Sequence, residues 1–284
     1  MKLSMRNVAM AALLSCTAIG AMAVPVSSAI PGGMVTFSDN SAEYLIDRNG
    51  NGLLDVGDSL RGMFSIDNIT GPSGVQVQIG GVTQYDELTG LFQTVVLSKT
   101  ATSNPNLFNY TFGFDSSFGQ GANVLGVLYD DPANNFARIG CTSIANCEAT
   151  AIGGSVWATV GFGASGFWSA ANAAENPGLG AILPYSTPLG TYGMGLDFIT
   201  NNSGFQWNKV SCVDTTTFAL YSVDVCAQGG ILATGRLTSA ATNTPYDVFD
   251  NVDFTMNRVP EPGSMALVGL ALLGLAAVRR NRKA

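Results

Sequence analysis

The middle of this chain is a succession of short runs rich in Val, Ile, Phe, Tyr and Thr, each cut off by a cluster of Gly, Asn, Asp, Pro or Ser. β-Branched and aromatic side chains fit a pleated, half-buried surface, and the residues between the runs are turn formers. The pattern predicts strands at residues 34–37, 62–69, 75–79, 91–97, 108–114, 124–129, 156–162, 192–199, 205–210, 218–225, 231–237 and 248–256. Alternation is plainest at Val75-Gln76-Val77-Gln78-Ile79, where the aliphatic side chains should face a core and the glutamines water. Only residues 167–174 read as a helical turn, ending before Pro177. Strands without helices between them fold as antiparallel layers. The expectation is an all-β chain with one antiparallel sandwich or jelly-roll-like domain over residues 24–258.

The two ends carry a different message. Met1-Lys2-Leu3-Ser4-Met5-Arg6 is basic, residues 8–20 are apolar, and Ala21-Met22-Ala23 supplies small residues at the cleavage positions Ala21 and Ala23. Those are the three parts of a secretory signal peptide, residues 1–23, with Val24 as the first mature residue. Lipoprotein processing at Cys16 is a weaker alternative. At the other end, Val259-Pro260-Glu261-Pro262 precedes an apolar run of 14 residues, 265–278, and then the basic cluster Arg279, Arg280, Arg282 and Lys283. A helix of that length spans about 21 Å against a hydrocarbon core of roughly 30 Å. With Gly263, Ser264 and local thinning of the bilayer, a transmembrane helix over about 263–278 can just cross. The terminal cations should keep its far end in the cytoplasm, with everything before Pro260 outside.

This order of parts, over residues 259–284, resembles the PEP-CTERM sorting signal of exported Gram-negative bacterial proteins. The resemblance implies export and transient residence in the inner membrane. It also implies processing near Pro260-Glu261-Pro262 by the membrane enzyme exosortase, then delivery to the cell surface or extracellular matrix. The logic parallels a tail that is removed after use as an anchor.

With both ends set aside, residues 24–258 keep seven of the 13 cations and 19 of the 20 anions, a net charge of -12. So acidic a domain is repelled by nucleic acid and anionic lipid, and it meets anionic polysaccharide only through bridging cations. The 284 residues include no histidine. That excludes Ser-His-Asp and Cys-His catalysis, histidine-ligated zinc and an imidazole switch. The Gly-x-Ser-x-Gly, Ser-x-x-Lys and Gly-x-x-x-x-Gly-Lys motifs are missing too. Four cysteines remain once Cys16 leaves with the signal segment, an even number in an oxidising compartment. Of three possible pairings, the local ones are favoured: Cys141 with Cys147, and Cys212 with Cys226. The alternatives are free thiols or a metal site, though neither spacing has a zinc knuckle.

One segment has the composition of a metal loop. Asp47-Arg48-Asn49-Gly50-Asn51-Gly52-Leu53-Leu54-Asp55-Val56-Gly57-Asp58 looks like an EF-hand or dockerin calcium loop over these residues alone. Asp47, Asn49, Asn51, Asp55 and Asp58 would offer side-chain oxygens, Leu53 a carbonyl, and Gly52 the sharp turn. Asp58 stands where a longer glutamate is usual, and the flanks 44–46 and 60–66 read as strands, which excludes a helix-opening sensor. Asp130-Asp131 and Asp247, Asp250, Asp253 read as solvated turns and edges. Asp115, Asp197 and Glu175 are the only carboxylates considered for a glycosidase pair, without a local mark. Trp157, Trp168, Trp207, Tyr44, Tyr85, Tyr110 and Tyr192 are read as core before sugar platforms.

Together these features predict a non-enzymatic, exported surface or matrix protein with a structural or adhesive role in biofilm, floc or exopolysaccharide. Exosortase and the membrane are the expected partners, polysaccharide a further one, nucleic acid none, and calcium the expected cofactor. The alternatives are a carbohydrate-binding module or, less favoured, a polysaccharide hydrolase or lyase.

Overall fold

The structure, a computed structural model, describes residues 24–81, 83–234 and 244–260. The signal segment with Ala21 and Ala23, Glu261 and Pro262, the 263–278 stretch and the basic cluster lie outside the described residues.

Strand β1 (Gly33–Ile46) pairs with β2 (Ser59–Thr70), onto which the short β3 (Gln76–Gln78) folds back. Strand β4 (Glu87–Ala101) pairs through residues 88–95 with β2. Its other edge divides. Residues 94–101 pair with β5 (Leu107–Phe114), and residues 87–92 with β6 (Val124–Asp131). From β6 the sheet continues to β7 (Ser155–Gly161), and from β5 to β8 (Phe167–Ala174). Both routes meet on one edge of β9 (Pro188–Asn201), β8 at residues 191–195 and β7 at 197–201. The opposite edge of β9 takes β13 (Val225–Ala233), and β13 takes β14 (Val248–Arg258). Strand β14 pairs with β1, so the sheet returns to its start. Strand β10 (Trp207–Asn208) adds to the end of β14. A separate hairpin of β11 (Val210–Val213) and β12 (Leu220–Val223) completes the set.

The antiparallel, nearly all-strand architecture is therefore present, with its layers joined into one closed path. Its interior holds the main core, including Phe37, Ile66, Leu88, Tyr110, Leu125, Trp157, Trp168 and Phe254. Burying each such side chain stabilises the fold by about 1.5–3 kcal/mol. A cavity of about 60 Å³ remains at its centre. A second core lies on the outer face of β1, β2, β4, β6 and β14, where Ala42, Met63, Leu91, Val127 and Phe249 are covered by Cys147, Ala151 and Tyr246. Strands β2 and β4 are thus buried on both faces, which is why their apolar runs are continuous rather than alternating.

Both expected disulfides are present, Cys141–Cys147 and Cys212–Cys226, with Cα atoms 5.5 and 5.4 Å apart. The first ties down helix α1 (Ile144–Ala149), which the strand-only expectation missed; Ser143 caps it by accepting from the Asn146 N–H at 3.3 Å. The helical turn expected at 167–174 is wrong. Those residues form β8, because β5 and β9 offer it backbone partners on both edges and Trp168 enters the core. Strand β1 runs nine residues beyond the expected Phe37, through Ser38 to Ile46. In β3 the glutamines are exposed and Ile79 is buried as expected, but Val75 is exposed outside the strand. The expected strand at 205–210 shrinks to two residues, and β13 stops at Ala233.

Two glycines on β2 and β4 answer two phenylalanines directly across the ladder: Gly62 opposite Phe92, and Gly90 opposite Phe64. Each ring lies over the backbone of the glycine, 2.5 and 2.4 Å from where a β-carbon would stand. Gly90→Ala is expected to cost about 1–3 kcal/mol through overpacking. A urea melt with an unchanged midpoint would show that the ring moves aside freely.

Candidate functional site: the end of strand β14 and the 47–58 loop

Strand β14 is paired along both edges to its last residue, Arg258 lying opposite Gly33 on one side and Trp207 on the other. One residue later the Val259 N–H donates to the Gln206 carbonyl at 2.8 Å. Pro260 then lies against Gly32, where an added β-carbon would sit 3.3 Å from the Pro260 Cα. The Arg258 guanidinium carbon stands 3.5 Å from the centroid of Phe205, and the group donates to the Ile30 carbonyl. Cation–π contact and hydrogen bond together hold the exit of the chain.

Glycines and prolines interlock around it. Gly33 has φ of +94°, a conformation that L side chains avoid, and Pro72 fills the space its β-carbon would need. Pro31 covers Gly71 in the same way. Beside the exit lies a shallow recess of about 420 Å³ lined by Ser27, Ser28, Ser203, Gly204, Phe205 and Arg258. Val259 and Pro260 are thus held on the fold itself. No flexible spacer separates the sheet from them.

The 47–58 loop joins β1 to β2 and does gather the expected residues into one turn. Asp47 accepts from the backbone N–H groups of Gly52, Gly50 and Asn49 at 2.6, 2.6 and 3.1 Å, bonds that lower its carboxyl below the usual range. Asn49 and Asn51 accept from the N–H groups of Asn51 and Leu53. The two oxygens of buried Asp58 accept from Arg48 and Asp55, both at 2.9 Å. Asp55 receives the Lys99 ammonium at 2.7 Å and the side-chain amides of Asn51 and Asn49, which together bring its pKa down to about 2. Lys99 also reaches Glu175 at 3.3 Å and lies over Phe108.

Calcium takes six to eight oxygens. Here two amide nitrogens and an ammonium point at Asp55, so the donor set does not fit that ion as it stands. Among the described residues no group of three or more His, Cys, Asp or Glu side chains is placed to share a metal.

Sequence reasoning missed a polar network on the outer face of β2 and β4. Asp115 accepts from Ser59, Gln93 and Arg48, the last at 2.9 Å. Burial alone would raise its carboxyl; the bonds from Ser59, Gln93 and Ser117 overcome this and hold it far below the usual range. Gln93 stands opposite Arg61 in the ladder and accepts from it at 2.9 Å, and Arg61 grips Glu148 at 2.7 and 2.8 Å. The signal available in the sequence was Arg61 and Gln93, two long polar residues inside otherwise apolar strands. An open groove of about 500 Å³ beside them is lined by Tyr44, Ile46, Ser117, Ile144 and Ala145 as well.

The carboxylates weighed as a glycosidase pair are not brought together as one. Asp115 belongs to the network above, Glu175 faces Lys99, and Asp197 is held by Lys209 at 2.5 Å. Asp131 is fully buried and Asp130 half-buried, so the expectation of a solvated turn there was wrong. Their segment ends β6 against Glu87 and Leu88 of β4 rather than forming a free edge. Trp157, Trp168, Tyr110 and Tyr192 are core residues, whereas Trp207, Tyr44 and Tyr85 are partly exposed.

Residues 258–283 match a family model described as the PEP-CTERM protein-sorting motif. A search of curated proteins and a search of solved structures each found no match. The matched segment begins at the residue where β14 ends.

Lys99→Met removes the ammonium from Asp55 and keeps an apolar stem over Phe108. The half-buried pair contributes on the order of 1 kcal/mol, so the variant should melt lower in chelator. It should then gain more than the wild type does from millimolar calcium. Identical responses of both proteins would remove calcium from the account of this loop.

Proposed function

We propose that this chain, an exported protein directed to the cell surface by exosortase through its PEP-CTERM motif, serves a structural or adhesive role in an extracellular matrix such as biofilm, floc or exopolysaccharide. The sorting motif at 258–283 carries the reading. Three further observations favour a passive role over a catalytic one. Asp115, Glu175 and Asp197 are tied into separate ion pairs, the interior is closed, and the two disulfides suit an oxidising exterior. No helix among the described residues is long and apolar enough to cross a membrane. The anchor before processing would therefore be the 263–278 segment. Calcium enters this reading only as a competitor of Lys99 for Asp55.

A second reading, a carbohydrate-binding module, is favoured by the groove beside Arg61. It combines the Tyr44 ring with planar hydrogen-bonding groups on Arg61, Gln93 and Glu148. Polysaccharide pull-down with the wild type and Tyr44→Ala separates the two, since a passive component shows no loss in the variant.

The junction yields the direct test of sorting. Because Pro260 packs on Gly32, the processing enzyme must work flush against the folded domain. A short Gly/Ser spacer inserted after Arg258 should raise the rate at which the tail is removed, while alanine at Pro260, Glu261 and Pro262 should leave the precursor uncut. Intact mass of the protein recovered from its native surface reads both. A full-length, uncut chain in the cytosol would end the proposal.

A further inference from the structure

Where β4 begins and β6 ends, a group of acidic side chains has no cation among the described residues facing it. Asp86 precedes β4, Glu87 begins it, and Asp130 and Asp131 end β6. Asp86 and Asp131 are 6% and 0% exposed, and one carboxylate oxygen on each, Asp86 Oδ1 and Asp131 Oδ2, has no hydrogen-bond partner. The Asp86 and Asp130 carboxyls perturb each other, and burial pushes both above the usual carboxylate range. Glu87 accepts from the N–H groups of Asn135 and Phe136, and Asp67, the remaining charged neighbour, is also acidic. The described cations are engaged elsewhere: Arg48 with Asp115, Arg61 with Glu148, Lys99 with Asp55, Arg138 with Asn40, Lys209 with Asp197 and Arg258 with Ile30. Buried carboxylates without a counter-charge are costly, so the arrangement calls for a positive group from another source.

The segment threaded past this cluster is the beginning of the described chain. Val24 lies alongside Tyr85, its N–H donating to Gln84 at 2.8 Å and its carbonyl accepting from the Asp86 N–H at 2.9 Å. Two residues on, the Val26 N–H donates to Asp130 Oδ1 at 3.3 Å. The Val24 nitrogen therefore begins the segment whose next bonds, from the Asp86 N–H and to Asp130 Oδ1, lay it along the cluster. In the precursor that nitrogen is a neutral amide. Cleavage between Ala23 and Val24 hydrolyses the amide bond, with water supplying the carboxylate of Ala23 and the free amine of Val24, which is protonated at neutral pH.

We propose that the α-ammonium released at Val24 is the missing counter-charge of the Asp86–Asp130–Asp131 cluster, so that removal of the signal segment locks the N-terminal residues onto the domain. The inference rests on the export reading only for the identity of the first residue. It makes residues 24–30, which also carry the Ile30 carbonyl that receives Arg258, more firmly held in the mature protein than in the precursor.

The sign of the pH dependence follows. An amine that gains carboxylate partners has its pKa raised above the unfolded value of about 8. Its stabilisation is complete below that pH and disappears as pH rises through the folded value. Without the ammonium, burial raises Asp130 to about 6, and stability should instead fall as pH climbs from about 4 to 6.

The test compares three forms of the full mature chain in detergent: one beginning at Val24, one α-acetylated there, and one with a single glycine added ahead of it. Intact mass of the native protein, measured alongside, establishes separately whether Val24 is the true first residue. The Val24 form should melt about 3 °C or more above the acetylated form near neutral pH, with the glycine form between them. The gap should close above about pH 9 and shrink strongly in Asp86→Asn and in Asp130→Asn. Equal melting of the Val24 and acetylated forms at neutral pH would overturn the proposal. So would a gap that ignores pH or survives both substitutions.

Discussion

The pairing of β1 with β14 is the constraint on which the rest of this structure depends. It joins the first long strand to the last, stacks Phe37 on Phe254 with ring centroids 5.1 Å apart, and sets the Val252 N–H on Asp39 at 2.8 Å. Without it the sheet is an open ribbon with two bare edges; with it the path through β13, β9 and β4 closes and the interior is sealed. Contacts so distant in sequence form late, since the closure entropy comes before the contacts that offset it. Closure must therefore wait for residues 248–258, whose last residue is the first of the sorting motif.

The same pairing explains why polar residues are tolerated inside. Beyond Val35 and Phe37, the inward positions of β1 are Asp39, Ser41 and Glu43, all buried and all lining the central cavity. Asp39 accepts from Val252 and from Ser41 Oγ, so its burial is compensated by partners on its own strand and on β14. Both ends of the described chain also gather at one end of the sheet. Ile30 receives Arg258, Gly32 meets Pro260, and Ser27 and Ser28 share a recess with Phe205. The domain thus presents its exit and its entry to the same neighbour.

Much of this was legible in the sequence where the deciding interactions are local. Strong β-formers announced β5, β6, β7 and β14, spacing selected the two disulfides, and the tail motif stood out by its order of parts. The unreadable elements are those decided by distant partners. Ser38-Asp39-Asn40-Ser41 has turn-like composition and is strand only because β2 and β14 flank it. Phe167–Ala174 is alanine-rich yet extended because β5 and β9 offer edges on both sides. In the 47–58 loop the composition suggests an ion, and the fold adds Lys99, 44 residues from Asp55, as a positive charge that no local pattern announces. Burial of Asp130 and Asp131 was likewise invisible, since a pair of aspartates before a proline reads locally as a turn.

Backbone amide hydrogen exchange across β14 tests closure most directly. A central strand paired on both edges should show protection in residues 252–258 matching that of its partner residues in β1, up to the last residue before the tail. Exchange in that stretch at the rate of a frayed terminus, with β1 protected only by β2, would mean the sheet is open and the account of its closure is wrong.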